Sequence, residues 1–188
     1  MYYESDNYLA HYGVKGMKWG QRRAQNKAAK QAYKAEKKRI SREGGNAQTR
    51  RQIRDIKANA DYAYNGKSRQ DMLIKQYDSA KQYNKDIAKL RVEKAAAKRD
   101  YKIAKGKNET RANKKYDRAV SRTEHNKAEA DQAVLNNLYK TSPKTAKYLA
   151  SKGKIKTSEL NVARINAGLD VVNTLVNVNA SYNSYKRR

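Results

Sequence analysis

The sequence predicts an all-α protein with an elongated body, a helical hairpin or coiled-coil-like arrangement, preceded by a flexible glycine-rich segment. Three observations lead there. Leu, Ile and Val number only 26 of 188 residues and Phe is absent; so few large apolar side chains with so high a charge cannot build one large core. Ala, Lys, Arg, Gln and Glu dominate from Gln21 to Glu43, and all favour helix. Further on, Leu73, Gln76, Ala80, Tyr83, Ile87, Leu90, Lys94, Ala97, Tyr101 and Ala104 recur at spacings of three and four, a heptad-like seam.

Taken in order, residues 1–10 are polar and aromatic and form an arm, extended or flexible, with Glu4 and Asp6 as its acids. Gly13, Gly16 and Gly20 then recur every three or four positions, a spacing that suits neither helix nor strand interiors. A turn-rich loop is expected over residues 11–20, carrying Tyr12, Val14, Met17 and Trp19 with Lys15 and Lys18 between them. The first helix follows, with Ala24, Ala28, Ala32, Ala35 and Ile40 as its apolar stripe. Gly44-Gly45 predicts a break, with Asn46 capping a second helix that runs to about Tyr64 and carries Ile53, Ile56 and Ala60 on one side. Gly66 ends that helix.

Ser68 followed three residues on by Asp71 resembles a capping box and opens the seam-bearing helix. Gly106 interrupts the seam, and a weaker stripe continues through Ala112, Tyr116, Ala119 or Val120, Ala130, Val134 and Leu138. Ser142-Pro143 marks a boundary, since serine caps and proline fits the first helical turn; Pro143 is the one proline in the chain. A short helix ends at Gly153. The last helix, about 158–183, starts from Thr157 or Ser158. It places Leu160, Ala163, Ala167, Val171, Leu175 and Val178 on one face, flanked by Ile165, Leu169, Val172 and Val176. Its charges before the basic tail Lys186-Arg187-Arg188 are Glu159, Arg164 and Asp170. Three regions result: an arm and motif at 1–23, a basic helical region at 24–141, and a C-terminal helical region at 142–188.

Charge sets the class of partner. The chain carries 44 Lys+Arg against 18 Asp+Glu, a net +26, which repels itself and calls for an acidic partner. Residues 22–57 hold 13 Lys+Arg against 3 Asp+Glu, a local net of +10. Lys27, Lys30, Lys34, Lys37, Lys38, Arg39, Arg50, Arg51, Arg54 and Lys57 are therefore the candidate nucleic-acid contacts, neutralising phosphates without reading sequence. Tyr33, Tyr62 and Tyr64 are candidates for stacking on bases. A solvated basic helix lying against acidic protein is the alternative use of the same residues.

Catalysis is not expected. His11 and His125 are the two histidines and lie far apart in sequence. Carboxylates fall singly among lysines, as helix i,i+4 pairing requires. Neither a phosphate-binding glycine loop, a nucleophile elbow nor a zinc-protease motif is present. No ligand cluster implies a metal and no motif implies a cofactor; cysteine is absent, which removes disulfides and thiolate zinc sites. No signal peptide and no membrane span are expected. The last helix reads as a self-association or partner-binding helix through Leu160, Val171, Leu175 and Val178. An interfacial membrane helix fits less well, because its polar face is asparagine rather than lysine.

The segment HYGVKGMKWGQRR, residues 11–23, holds the one tryptophan and three of the nine glycines. It reads either as a linker or as a docking peptide. In the second reading Met17 and Trp19 are pocket-filling anchors. Gly13, Gly16 and Gly20 allow close backbone approach, and Lys15, Lys18, Arg22 and Arg23 pair with acids at the rim, beside His11 and Tyr12. The segment resembles a short motif, H-[YF]-G-[VI]-K-G-M-K-W-G-x-R-R, recurring near the ends of structural proteins of tailed bacteriophages, chiefly those infecting Gram-positive bacteria. It matches that motif throughout, with Gln21 at the variable position. The resemblance implies a virion or head-assembly component, made in the bacterial host cytoplasm and docked to a capsid, portal or related head protein, and it implies little mechanism. The expectation is a head-associated structural protein, homo-oligomeric in the assembly, whose basic helices contact packaged DNA or an acidic capsid surface. A scaffolding protein removed before maturity and a non-virion nonspecific nucleic-acid-binding protein are the alternatives.

Overall fold

The computed structural model describes residues 19–186, with side chains from 20 to 177 except Val172 and Leu175. The arm and residues 11–18 of the docking segment lie outside the described residues. Among those described, 91% are helical and none is in a strand. Five helices follow one another: α1 (Trp19–Tyr64), α2 (Arg69–Ala104), α3 (Glu109–Thr141), α4 (Pro143–Ser151) and α5 (Thr157–Lys186).

The turns behave as local chemistry requires. Ser68 Oγ accepts the Asp71 backbone N–H at 3.1 Å and donates to Asp71 Oδ2 at 2.8 Å, so α2 starts where the capping-box pattern placed it. Asn108 Oδ1 accepts the Arg111 N–H at 2.8 Å and caps α3. Ser142 accepts from the Thr145 N–H, with Pro143 in the first turn of α4. Gly106 and Gly153 end α2 and α4 at φ 72° and 70°. At each, the following N–H reaches back to the last turn, Lys107 to Lys102 O at 3.0 Å and Lys154 to Leu149 O at 2.9 Å. This hydrogen-bond pattern needs a left-handed residue after the helix, where glycine has no Cβ penalty.

Two expectations about α1 need correction. Gly44-Gly45 does not break it, and Trp19 and Gly20 belong to it rather than to a loop. Two interior glycines cost about 2 kcal/mol relative to alanine. Packing on both sides offsets that cost: Ile40 and Ala47 are buried before and after the pair. The helical face is also misplaced by the alanine stripe. Ala24, Ala28 and Ala35 are exposed, and Ile53 and Ile56 are 59% and 66% exposed. The inward face runs through Ala29, Tyr33, Glu36, Ile40, Gly44, Ala47, Arg51, Asp55 and Ala58, half-buried or buried at spacings of three and four. The seam read for α2 holds better. Leu73, Ala80 and Leu90 are buried, and Tyr77 and Ser79 join them.

The chain forms two compact units, one through Thr49 with Lys85–Lys127 and the other of Arg50–Asn84 with Ala128 onward. In the first, α1 and α2 run antiparallel. Tyr33 stacks on Tyr101 with ring centroids 5.1 Å apart, and Arg39 reaches Glu93 at 2.5 Å. Arg99 sits 4.7 Å over the Tyr116 ring of α3. Among the described residues the buried apolar side chains here are few, and two of the four are alanine: Ile40, Ala47, Leu90 and Ala112. The second unit has the larger core. Leu73 and Tyr77 of α2, Leu135 and Leu138 of α3, Ala146 and Leu149 of α4, Ile155 and Ala163 form one cluster, with Leu160 packed against it. The sequence sets residues 142–188 apart, yet Ala146, Leu149, Ile155, Leu160 and Ala163 from that region share this core with α2 and α3.

Candidate nucleic-acid interface

The cations of α1 divide by what they meet. Lys27, Lys30, Lys34, Lys37 and Lys38 are exposed on the first unit. Their spacing of three and four residues puts them along one side of the helix, about 5 Å apart per step. The inward face of the same turns is occupied by Ala29, Tyr33 and Glu36, so the lysines point away from α2. This is a cationic stripe presented to solvent.

Arg39 does not belong to that stripe. Its guanidinium binds Glu36 at 2.5 and 3.0 Å, Glu43 at 2.6 Å and Glu93 at 2.5 Å. The hydrogen bond to Glu36, then those to Glu93 and Glu43, hold Arg39 firmly protonated, above the ordinary guanidinium value. The Arg39 hydrogen bond in turn holds the Glu36 carboxyl below its usual range. A fork satisfied by three carboxylates has little left for a phosphate. Arg39, a candidate contact by sequence, is thus a structural link between α1 and α2.

The second unit holds the remaining α1 cations. Arg50, Arg54 and Lys57 are exposed and Arg51 is half-buried. Arg51 lies 5.3 Å over the Tyr83 ring and 3.6 Å from Asp55, which assigns it to α1–α2 packing. Arg54 and Lys57 border a groove of about 540 Å³ with Lys75, Asp78 and Gln82. Two ion pairs lie beside this groove, Lys75 with Asp61 at 2.6 Å and Lys154 with Asp78 at 3.1 Å. The Lys75 hydrogen bond, then one from Asn65, keeps the Asp61 carboxyl below its ordinary value. Of the candidate stacking rings, Tyr33 is taken by Tyr101, while Tyr62 and Tyr64 are 47% and 86% exposed.

The four self-association candidates do not share one fate. Leu160 packs against the core of its own chain and is not on a free face. Val171 is 60% exposed. Leu175 and Val178 lie in α5, and their side chains fall outside those described. Ile165 and Leu169, read as flanking residues, are 60% and 55% exposed, because Leu160 and Ala163 turn the opposite side of α5 into the core.

Of the docking segment, Trp19, Gly20, Arg22 and Arg23 lie in the first turns of α1. Gly20 and Arg23 are exposed and Arg22 is half-buried. His11, Tyr12, Gly13, Lys15, Gly16, Met17 and Lys18 are outside the described residues. Reading the sequence also passed over one concentration of cations. Lys102, Lys105, Lys107, Arg111 and Lys115 line a cleft of about 320 Å³ where α2 turns into α3. The signal was present, since residues 102–115 hold six Lys+Arg against the single acid Glu109, but a glycine turn divides the run. Among the described residues no group of three or more His, Cys, Asp and Glu could hold a metal ion. No described helix is long and apolar enough to cross a membrane.

A family of unknown function, DUF7211, matches residues 3–26, a span that includes the whole docking segment. No curated protein and no solved structure matches the chain.

Proposed function

We propose that this chain is a structural component of a bacteriophage particle, associated with the head. It docks to another virion protein through residues 11–23 and lays its basic helices against packaged DNA or an acidic capsid surface. The role is one of binding and assembly rather than catalysis. The observation that carries the reading is the continuity of α1. That helix opens at Trp19, inside the docking segment, and continues without a break into the exposed lysines 27–38. An anchor and a polyanion-binding stripe on one helix have a fixed spacing, about 1.5 Å per residue, so docking one orients the other. The virion context comes from the resemblance of residues 11–23 to the phage motif; the net charge of +26 supplies the need for an acidic partner.

The test is Trp19→Ala in phage that otherwise assemble normally. Loss of the chain from purified particles, with unchanged expression in the infected cell, supports docking through this segment. Incorporation at the wild-type copy number refutes it.

A further inference from the structure

We infer that the cleft at the α2–α3 turn is a phosphate-binding site that grips the backbone of a polynucleotide, which rests on the polyanion-binding role proposed above and gives it a second, more concentrated contact. Lys102 comes from the last turn of α2, Lys105 and Lys107 from the segment that follows it, and Arg111 and Lys115 from the first two turns of α3; with Asn108 and Ala112 they line the cleft.

Fold stability accounts for only half of this arrangement. Cations at the C-terminal end of α2 complement its dipole. Arg111 does the opposite, placing positive charge in the first turn of α3, where acids are favoured, and Lys115 follows one turn on. Glu109 is the only acid between Asp100 and Asp117, and Asp100 is already bound by Arg99 at 2.7 Å. No carboxylate of the described residues forms an ion pair with Lys102, Arg111 or Lys115. The ammonium of Lys102 feels the consequence: partial burial, then the charges of Lys115, Lys98 and Arg111, push its pKa below the ordinary lysine value. A bound anion removes that repulsion.

The chemistry of the rim favours a nucleic-acid backbone over a lipid surface. A membrane-surface site adds apolar side chains that enter the headgroup region. Here the only apolar lining residue is Ala112, and among the described residues the exposed large apolar side chains lie elsewhere. The cations instead follow one another along the chain, Lys98 and Lys102 on α2, Lys105 in the turn and Arg111 and Lys115 on α3, as a run of phosphates requires.

The experiment uses the full chain and a fluorescent mixed-sequence DNA duplex, with affinity followed between 50 and 200 mM salt. Lys102→Gln/Arg111→Gln/Lys115→Gln is compared with a control of equal charge at exposed lysines outside both proposed contacts, Lys144→Gln/Lys147→Gln/Lys156→Gln, each checked for unchanged helix content. The expected result is at least a tenfold loss of affinity for the turn variant. Its salt slope should fall by about 2 to 3, near 0.9 for each lost phosphate contact, and the control should lose clearly less. Equal losses in the two variants would mean that bulk charge alone matters and would overturn the site. So would a turn variant that binds as the wild type does. Wild-type chain that fails to bind at 50 mM salt removes the broader nucleic-acid reading, and the site with it. Retention on phosphatidylserine vesicles that depends on the turn cations, with duplex affinity untouched, overturns the choice of ligand.

Discussion

Replacing Gly44 and Gly45 together by alanine should make the protein more stable. Both residues lie in the interior of α1, and neither is among the glycines with positive φ. A Cβ built on either meets nothing within 4 Å, so alanine adds no clash. Each glycine in a helix interior costs about 1 kcal/mol relative to alanine, partly through the extra freedom it gives the unfolded chain. The double variant should therefore gain about 2 kcal/mol, or roughly 4–8 °C in Tm for a chain of this size. Gly153→Ala is the contrasting substitution. It too has open space around its Cβ, but its φ of 70° places alanine in the left-handed region at a cost of about 1–2 kcal/mol. Thermal and denaturant unfolding followed by far-ultraviolet circular dichroism reads both. A double variant with lower Tm or less helix would refute a continuous α1 and favour a chain that bends or unwinds at residues 44–45.

Three further outcomes follow from the packing and the charges. Leu135→Ala, at a side chain 1% exposed in the core of the second unit, should destabilise by about 2–5 kcal/mol; a loss under 1 kcal/mol in denaturant unfolding would contradict that core. Tyr77 is pushed up to about 12 from 10.0 by burial first, then by Glu159, Asp131 and Asp78. Being raised, it contributes stability that is whole below pH 10 and lost as pH climbs from 10 toward 12. Ultraviolet titration should show a late phenolate phase that Tyr77→Phe removes, and its persistence in that variant would assign it elsewhere. Arg39→Gln leaves Glu36, Glu43 and Glu93 without their shared cation. Glu36 is depressed in the folded state, so its contribution is present above its unfolded pKa and lost as pH falls through the folded one. The drop in Tm caused by Arg39→Gln should therefore be larger at pH 7 than at pH 3; an equal drop at both would deny the ion-pair network.

Local signals carried most of what was legible. Ser68, Gly106, Ser142-Pro143 and Gly153 each act through neighbours within a few residues, and each boundary lies where those residue types require. The α2 seam was readable because Leu73, Ile87, Leu90 and Tyr101 are large and unevenly distributed around the helix. In α1 alanine occurs on every face and leaves no period to read. Its inward face instead uses Tyr33 and Arg51, whose ring partners Tyr101 and Tyr83 lie on α2. The Gly44-Gly45 pair shows the same limit: a cost of about 2 kcal/mol looks decisive locally, yet flanking burial at Ile40 and Ala47 outweighs it. For the interface, the cations of 22–57 were visible but their pairing was not. Glu93 lies 54 positions from Arg39, and only folding shows that Arg39 is occupied while Lys27–Lys38 face solvent. The Lys102–Lys115 cluster becomes one site only when the Gly106 turn brings two helices together.

Quantitative mass spectrometry of purified mature particles and of empty precursor heads tests the virion assignment most directly. The chain is expected in mature particles at a fixed copy number relative to the capsid or portal subunit. Presence in precursor heads with absence from mature ones would make it a scaffold instead. Absence from both, with the chain abundant in infected cells, would contradict a structural role in the particle altogether.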